Sequence, residues 1–138
     1  MNIFVAASYS SEVNYETGEV NPEYQEWLEN NLKLLEKFGH NVFCALKADQ
    51  YKINNTDPAK AFRLEEGEIE KADGLLAFVT DKPSHGVQTE IGIAIGANKR
   101  IVIAHLAEHP LAYFNNAIIL ASKASELILP FTFNPFAE

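Results

Sequence analysis

The stretch Gly74-Leu75-Leu76-Ala77-Phe78-Val79-Thr80 is apolar at nearly every position and shows no polar alternation. A strand with one face in water cannot read this way, because every second side chain would be solvated; the pattern belongs to a strand buried on both faces. Residues 100–104, Arg-Ile-Val-Ile-Ala, carry a second such run. Strands of this kind lie in parallel sheets, and parallel neighbours need long crossovers that place helices over each face. The rest of the chain supplies those parts. Residues 2–7 read as a first strand and 41–46 as another, with a turn-rich loop over 11–21. Leu28, Leu32 and Leu35 mark a helix that begins at Pro22 behind an Asn21 cap and stops at Gly39. Residues 59–72 read as a helix with Phe62, Leu64 and Ile69 on its less polar side, and 87–97 as another. The tail from Pro110 holds one helix or two, and 127–133 reads as a fifth strand. The pattern predicts a single domain over 1–138 with a three-layer α/β/α fold, flavodoxin- or Rossmann-like, and a parallel sheet of four to five strands. In such sheets ligands bind at the carboxyl ends of the strands, which points to the loops after residues 7, 46, 80 and 104.

Charge narrows the ligand. A formal charge of −8 over 138 residues, with no basic stripe, argues against nucleic acid as a partner. A negative ligand must be small and held by backbone N–H groups. No apolar run approaches a membrane span. The start Met1-Asn2-Ile3-Phe4 lacks a basic leader, and the lone Cys44 cannot form an internal disulfide. A cytoplasmic protein is expected.

The chemistry concentrates where the buried strand runs out. Pro83-Ser84-His85-Gly86 forms a loop that opens into a helix. The N–H groups of a helix start suit a phosphate or another anion; Ser84 adds a hydroxyl donor there, and Gly86 lets the backbone approach closely. Glu90 lies at the margin of the apolar stripe Val87, Ile91, Ala94 and Ile95, in the first helical turn. It is either an acidic residue favourably placed near a helix N-terminus, or a carboxylate held at the ligand edge as a nucleophile. Gly92 and Gly96 form a bare ridge, for packing on another helix in a dimer or on the chain's own sheet.

Residues 72–104 resemble the nucleoside 2-deoxyribosyltransferase superfamily. The pieces are Ala72-Asp73, Pro83-Ser84-His85-Gly86, Gly86-Val87-Gln88-Thr89-Glu90-Ile91-Gly92 and Asn98-Lys99-Arg100-Ile101, in the family's order. The resemblance implies that Glu90 attacks the anomeric carbon of a deoxyribosyl group. A carboxylate suits that role, since it stabilises an oxocarbenium-like transition state and divides the reaction into two steps. Serine at Ser84 resembles the branch that hydrolyses 2′-deoxynucleoside 5′-monophosphates, where a neutral donor tolerates the phosphate. Ala7, Ser8, Tyr9 and Ser10 correspond to another sugar or phosphate loop, or are ordinary turn formers. Glu65 stands where members keep an aspartate that helps protonate the leaving base, and Ile3 where they often place a tyrosine; Tyr9 is a substitute for the latter. Asn116 resembles a residue inserted into a neighbouring subunit's pocket, or is a helix N-cap.

The expected activity is therefore hydrolysis of the N-glycosidic bond of a (2′-deoxy)nucleoside 5′-monophosphate. It is expected without a cofactor and in a homodimer or larger symmetric assembly. A base-exchanging deoxyribosyltransferase and a non-catalytic nucleotide sensor are the alternatives; a cytokinin- or NAD-type glycosidase ranks lower for want of successive glycines. His105 and His109, four apart, suggest metal ligands on a helix face but lack a third partner, so no metal is expected. Cys44, Trp27 and the phenylalanines read as core.

Overall fold

The computed structural model describes residues 1–8, 12–14, 16–51 and 57–137. The elements run β1 (Asn2–Ala6), α1 (Pro22–Lys37), β2 (Asn41–Cys44), α2 (Ala45–Ala48), α3 (Pro58–Lys71), β3 (Gly74–Phe78), α4 (His85–Gly96), β4 (Arg100–Leu106), α5 (Tyr113–Leu120) and β5 (Ser125–Leu129). All five strands are parallel, in the order β2-β1-β3-β4-β5. This is the α/β architecture that the doubly buried runs required.

The period-2 alternation of the strands sorts the core into two halves. Ile3, Val5, Leu76, Phe78, Val102 and Ala104 face α1, which presents Leu28, Leu32 and Leu35, all fully buried. Phe4, Leu75, Ala77 and Ile103 face the other way, onto Ile69 of α3 and Val87, Ile91 and Ala94 of α4. Each fully buried aliphatic or aromatic side chain contributes about 1.5–3 kcal/mol over its exposed state. Asn21 caps α1 as its sequence suggested, accepting from the Glu23 N–H at 3.0 Å, and Gly39 takes the left-handed φ of +93° that ends it.

Four expectations need correction. The second strand stops at Cys44, and residues 45–48, which are helix formers without β-branching, turn into α2. In α3 only Ile69 is buried; Leu64 points away from the sheet and is 56% exposed. Phe62 shares Ile69's face but lies two turns earlier, past the sheet edge, and is 46% exposed. The helix after the loop begins at His85 rather than 87, because Ser84 takes the cap position. The fifth strand ends at Leu129, and the tail holds a single helix, α5. Gly92 and Gly96 are exposed, with nothing within 4 Å of an added Cβ, so the ridge does not pack on the chain's own sheet.

Candidate active site

The chain leaves β1 in one direction to form β2 and returns across it to form β3, so the strand order reverses between β1 and β3. Loops diverge at such a point and leave a crevice at the carboxyl ends. A cavity of about 300 Å³ opens there, lined among others by Ala7, Asp49, Glu65, Ser84, Gly86 and Glu90. It joins the end of β1, the residue after α2, the middle of α3 and the start of α4. A larger cleft of about 760 Å³ adjoins it and shares Ser84 and Val87 as a wall.

Glu90 decides the character of the cavity. With α4 starting at His85, Glu90 sits in the second turn rather than the first, too far in for a simple helix-dipole role. It lies between the buried Val87 and Ala94 on the helix face turned to the sheet edge. A carboxylate there loses water without gaining a cation among the described residues. Burial first, and then the charge of Glu65, push its pKa from an ordinary 4.5 up to about 8. Glu65 is raised in turn by burial and by Asp49. Asp49, Glu65 and Glu90 thus form a graded series in which each carboxylate makes the next harder to ionise. Among the described residues, no lysine or arginine lines the cavity. Cys44, also on its wall, is raised to about 11 by burial above all, and stays a thiol.

Ser84 does two jobs. Its Oγ accepts the Val87 N–H at 3.3 Å, capping α4, while its own O–H remains available to a ligand. A Cβ on Gly86 would meet nothing nearer than that Oγ at 4.0 Å, so the backbone here borders open space. Ser8 is buried, lines the larger cleft rather than the Glu90 cavity, and offers its carbonyl to the Tyr24 hydroxyl at 2.9 Å. Tyr9 and Ser10 lie outside the described residues. Ile3 is core and does not approach the cavity.

Asn116 is not brought to either cavity. It is exposed in the second turn of α5, whose cap is Ala112, so it is not an N-cap either. Its neighbour Asn115 is the buried one: it lines the larger cleft, and its Oδ1 accepts no hydrogen bond among the described residues. His105 and His109 lie on β4 and the turn after it, not on a helix, and among the described residues no three ligands gather for a metal. Asp49 and Asn115 line these cavities without a signal in the sequence, and Phe62, expected on the apolar side of its helix, lines the Glu90 cavity instead. Asp49 and Asn115 sit in polar or amphipathic segments without periodic signal, and Phe62 reads as core until the sheet edge is located.

The model of the family described as nucleoside 2-deoxyribosyltransferase matches residues 17–124. Among solved structures, the Clostridium botulinum CMP N-glycosidase BcmB is 21% identical, with a TM-score of 0.68 over 95% of this chain and 91% of that one. BlsM is 23% identical, with a TM-score of 0.76 over 94% of this chain and 81% of its own. A 2-deoxyribosyltransferase from Bacillus psychrosaccharolyticus is 14% identical, with a TM-score of 0.64 over 94% of this chain and all of that one. A comparison with proteins of curated function finds no match. No helix among the described residues is long and apolar enough to cross a membrane.

Proposed function

Because the chain belongs to the nucleoside 2-deoxyribosyltransferase family, we propose that it hydrolyses the N-glycosidic bond of a (2′-deoxy)nucleoside 5′-monophosphate, with Glu90 as nucleophile. The observation that carries this reading is the placement of Glu90 and Glu65 in one cavity under Ser84 and Gly86. At neutral pH the raised pKa of Glu90 keeps a proton on the pair. A departing base needs one proton. Passed to the base through Glu65, it leaves Glu90 as the carboxylate that bonds C1′ while the C1′–N bond breaks. Water then attacks C1′, Glu90 is released, and the water's proton restores the pair. The sugar phosphate leaves with a new hydroxyl.

Among the described residues the cavity wall offers no lysine or arginine, so the phosphate belongs on its Ser84 side, where the adjoining cleft is lined by Lys82 and His85. There a serine donor and helix N–H groups hold an anion that a carboxylate would repel. Asp49, Phe62 and Glu65 are left for the base. A second copy of the chain is the partner proposed for α5, whose Tyr113, Phe114 and Leu120 are 83%, 73% and 76% exposed, and it would bring Asn116 to the cleft.

The test is base release from a panel of nucleosides and 5′-monophosphates by wild type and Glu90→Ala. The reading requires turnover of a monophosphate by the wild type alone. Release that occurs only when an acceptor base is added assigns a transferase instead. Nucleotide binding without turnover, unchanged in the variant, assigns a sensor.

A further inference from the structure

His105 is the next-to-last residue of β4, and the polar contacts of its ring among the described residues are all with oxygens that can accept. Its Nδ1 lies 2.9 Å from the Leu106 carbonyl and 2.9 Å from the His109 carbonyl, and its Nε2 lies 2.7 Å from Glu126 Oε2 on β5. The imidazole is 4% exposed and its two carbonyl contacts are shielded, while the Glu126 carboxylate reaches solvent with 44% of its side chain exposed. A carbonyl oxygen only accepts, so Nδ1 must carry a proton to bond either carbonyl, which excludes the tautomer protonated on Nε2 alone. The Nε2–Glu126 contact then needs a second proton, because a bare nitrogen and a bare carboxylate would oppose lone pair to lone pair.

We propose that His105, held doubly protonated by Glu126, is a positioning residue that pins the turn after β4 and through it shapes the substrate cleft. The turn leads directly into the wall of that cleft, which includes His109, Leu111, Ala112 and Asn115. The His109 N–H also bonds the Leu106 carbonyl at 3.0 Å, so one ring holds both ends of a closed four-residue turn. Losing the second proton removes the tie to β5 and frees the turn to move as a unit.

The charges around the ring support this. β3 contributes no ionisable group, and α5 contributes Tyr113 alone. The turn carries Glu108 and His109, α4 carries His85 and Glu90, and Arg100 lies at the far end of β4. Of these and Glu126, only Glu126 acts on the ring by charge. Burial by itself would lower the imidazole's pKa; the Glu126 bond and the carbonyls of His109 and Leu106 outweigh it, and the net direction is upward. The tie is therefore complete below the ordinary histidine range and is lost as pH rises through the raised value.

The inference takes its substrate from the proposed glycosidase and its geometry from the protein alone, so the test has two arms. In the free protein, nitrogen-edited NMR of the imidazoles should show both His105 nitrogens protonated at pH 6.5. The amides of residues 107–115 should then shift with the midpoint at which the ring loses its proton. In the enzyme, KM for the hydrolysed monophosphate should rise roughly tenfold across that midpoint, with kcat insensitive to it. Glu126→Gln should abolish that dependence at low KM, since a glutamine amide donates to Nε2 of a neutral Nδ1–H ring. Glu126→Ala should show the high KM at every pH. A neutral ring at pH 6.5, amides that ignore its titration, or an unaltered KM in Glu126→Ala overturns the proposal. Absence of base release with the NMR behaviour intact refutes the glycosidase reading and leaves the tie standing.

Discussion

Glu90→Gln should abolish turnover and make the protein more stable, by an amount that grows with pH. The amide keeps the size of the carboxyl and removes only its ionisation. In the native state the Glu90 pKa is about 8, against an ordinary 4.5 when the chain is unfolded. Between those values the unfolded chain has released a proton that the folded chain still holds. Unfolding is thus increasingly favoured as pH rises, and the slope vanishes above the native value. At ~1.36 kcal/mol per pH unit, the wild type has lost about 3 kcal/mol relative to the variant by pH 7 and about 4–5 kcal/mol by pH 8.5. Below pH 4.5 both forms of the chain are protonated and the difference disappears. For a domain of this size, 3 kcal/mol corresponds to a Tm difference of roughly 10 °C. Urea unfolding of both proteins at pH 4.5, 7 and 8.5 reads the gap directly, since other titrating groups are common to the two. A gap that does not widen with pH would mean that Glu90 is already ionised in the folded protein. The proton invoked for the leaving base would then not be stored there.

Other perturbations test separate parts of the site. Glu65→Gln should lower kcat by about 10²-fold or more for a poor leaving base while leaving monophosphate binding nearly unchanged, measured by steady-state base release and calorimetry. Ser84→Asp keeps a good helix cap, so Tm should hold within a degree or two; its charge should raise KM for a 5′-monophosphate about tenfold while sparing the free nucleoside. Activity of the wild type should fall above pH 8 in kcat, as the last proton leaves the Glu65–Glu90 pair, and Glu65→Asp should move that limb. Gly74→Ala, far from the cavity, should cost about 1–3 kcal/mol in chemical denaturation. Its Cβ would stand 2.7 Å from the Phe136 ring and 3.2 Å from the Arg100 carbonyl.

What could be read from the sequence follows from which interactions are local. The doubly buried runs at 74–80 and 100–104 fixed a covered parallel sheet, and Asn21-Pro22 located the start of α1 to the residue. Both signals lie within a few positions of what they specify. Glu90 was legible as a chemical oddity because a carboxylate beside Val87 and Ile91 breaks an apolar face. Its true depth was not legible, since that rests on the start of α4 being at His85, set by a single serine Oγ. Glu65 was reachable only by resemblance: on α3 it is one of several acids, and its arrival beside Glu90 depends on how α3 crosses the sheet. Asn116 shows the limit from the other side. The chain places it in solvent, and its neighbour Asn115 turns inward, a distinction that one residue of helical phase decides.

For the proposed activity, the net charge of −8 sets a problem that the graded carboxylates would answer. An acidic protein that is to admit a nucleotide monophosphate cannot present a row of ionised carboxylates at the cavity, because each would repel the phosphate before any contact formed. Keeping Glu90 protonated at rest removes one of those charges as the substrate arrives. In the proposed reaction Glu90 becomes anionic only when its proton moves toward the base, at the moment positive charge develops on the sugar and needs a nearby negative partner. Burial is what makes this timing available: in water the same glutamate would be ionised throughout and would repel the approaching phosphate. On the proposed mechanism a native pKa near 8 has a use as well as a cost in stability, and a variant that lowers it by placing a lysine at Phe62, on the cavity wall, should gain stability at pH 8 and lose kcat.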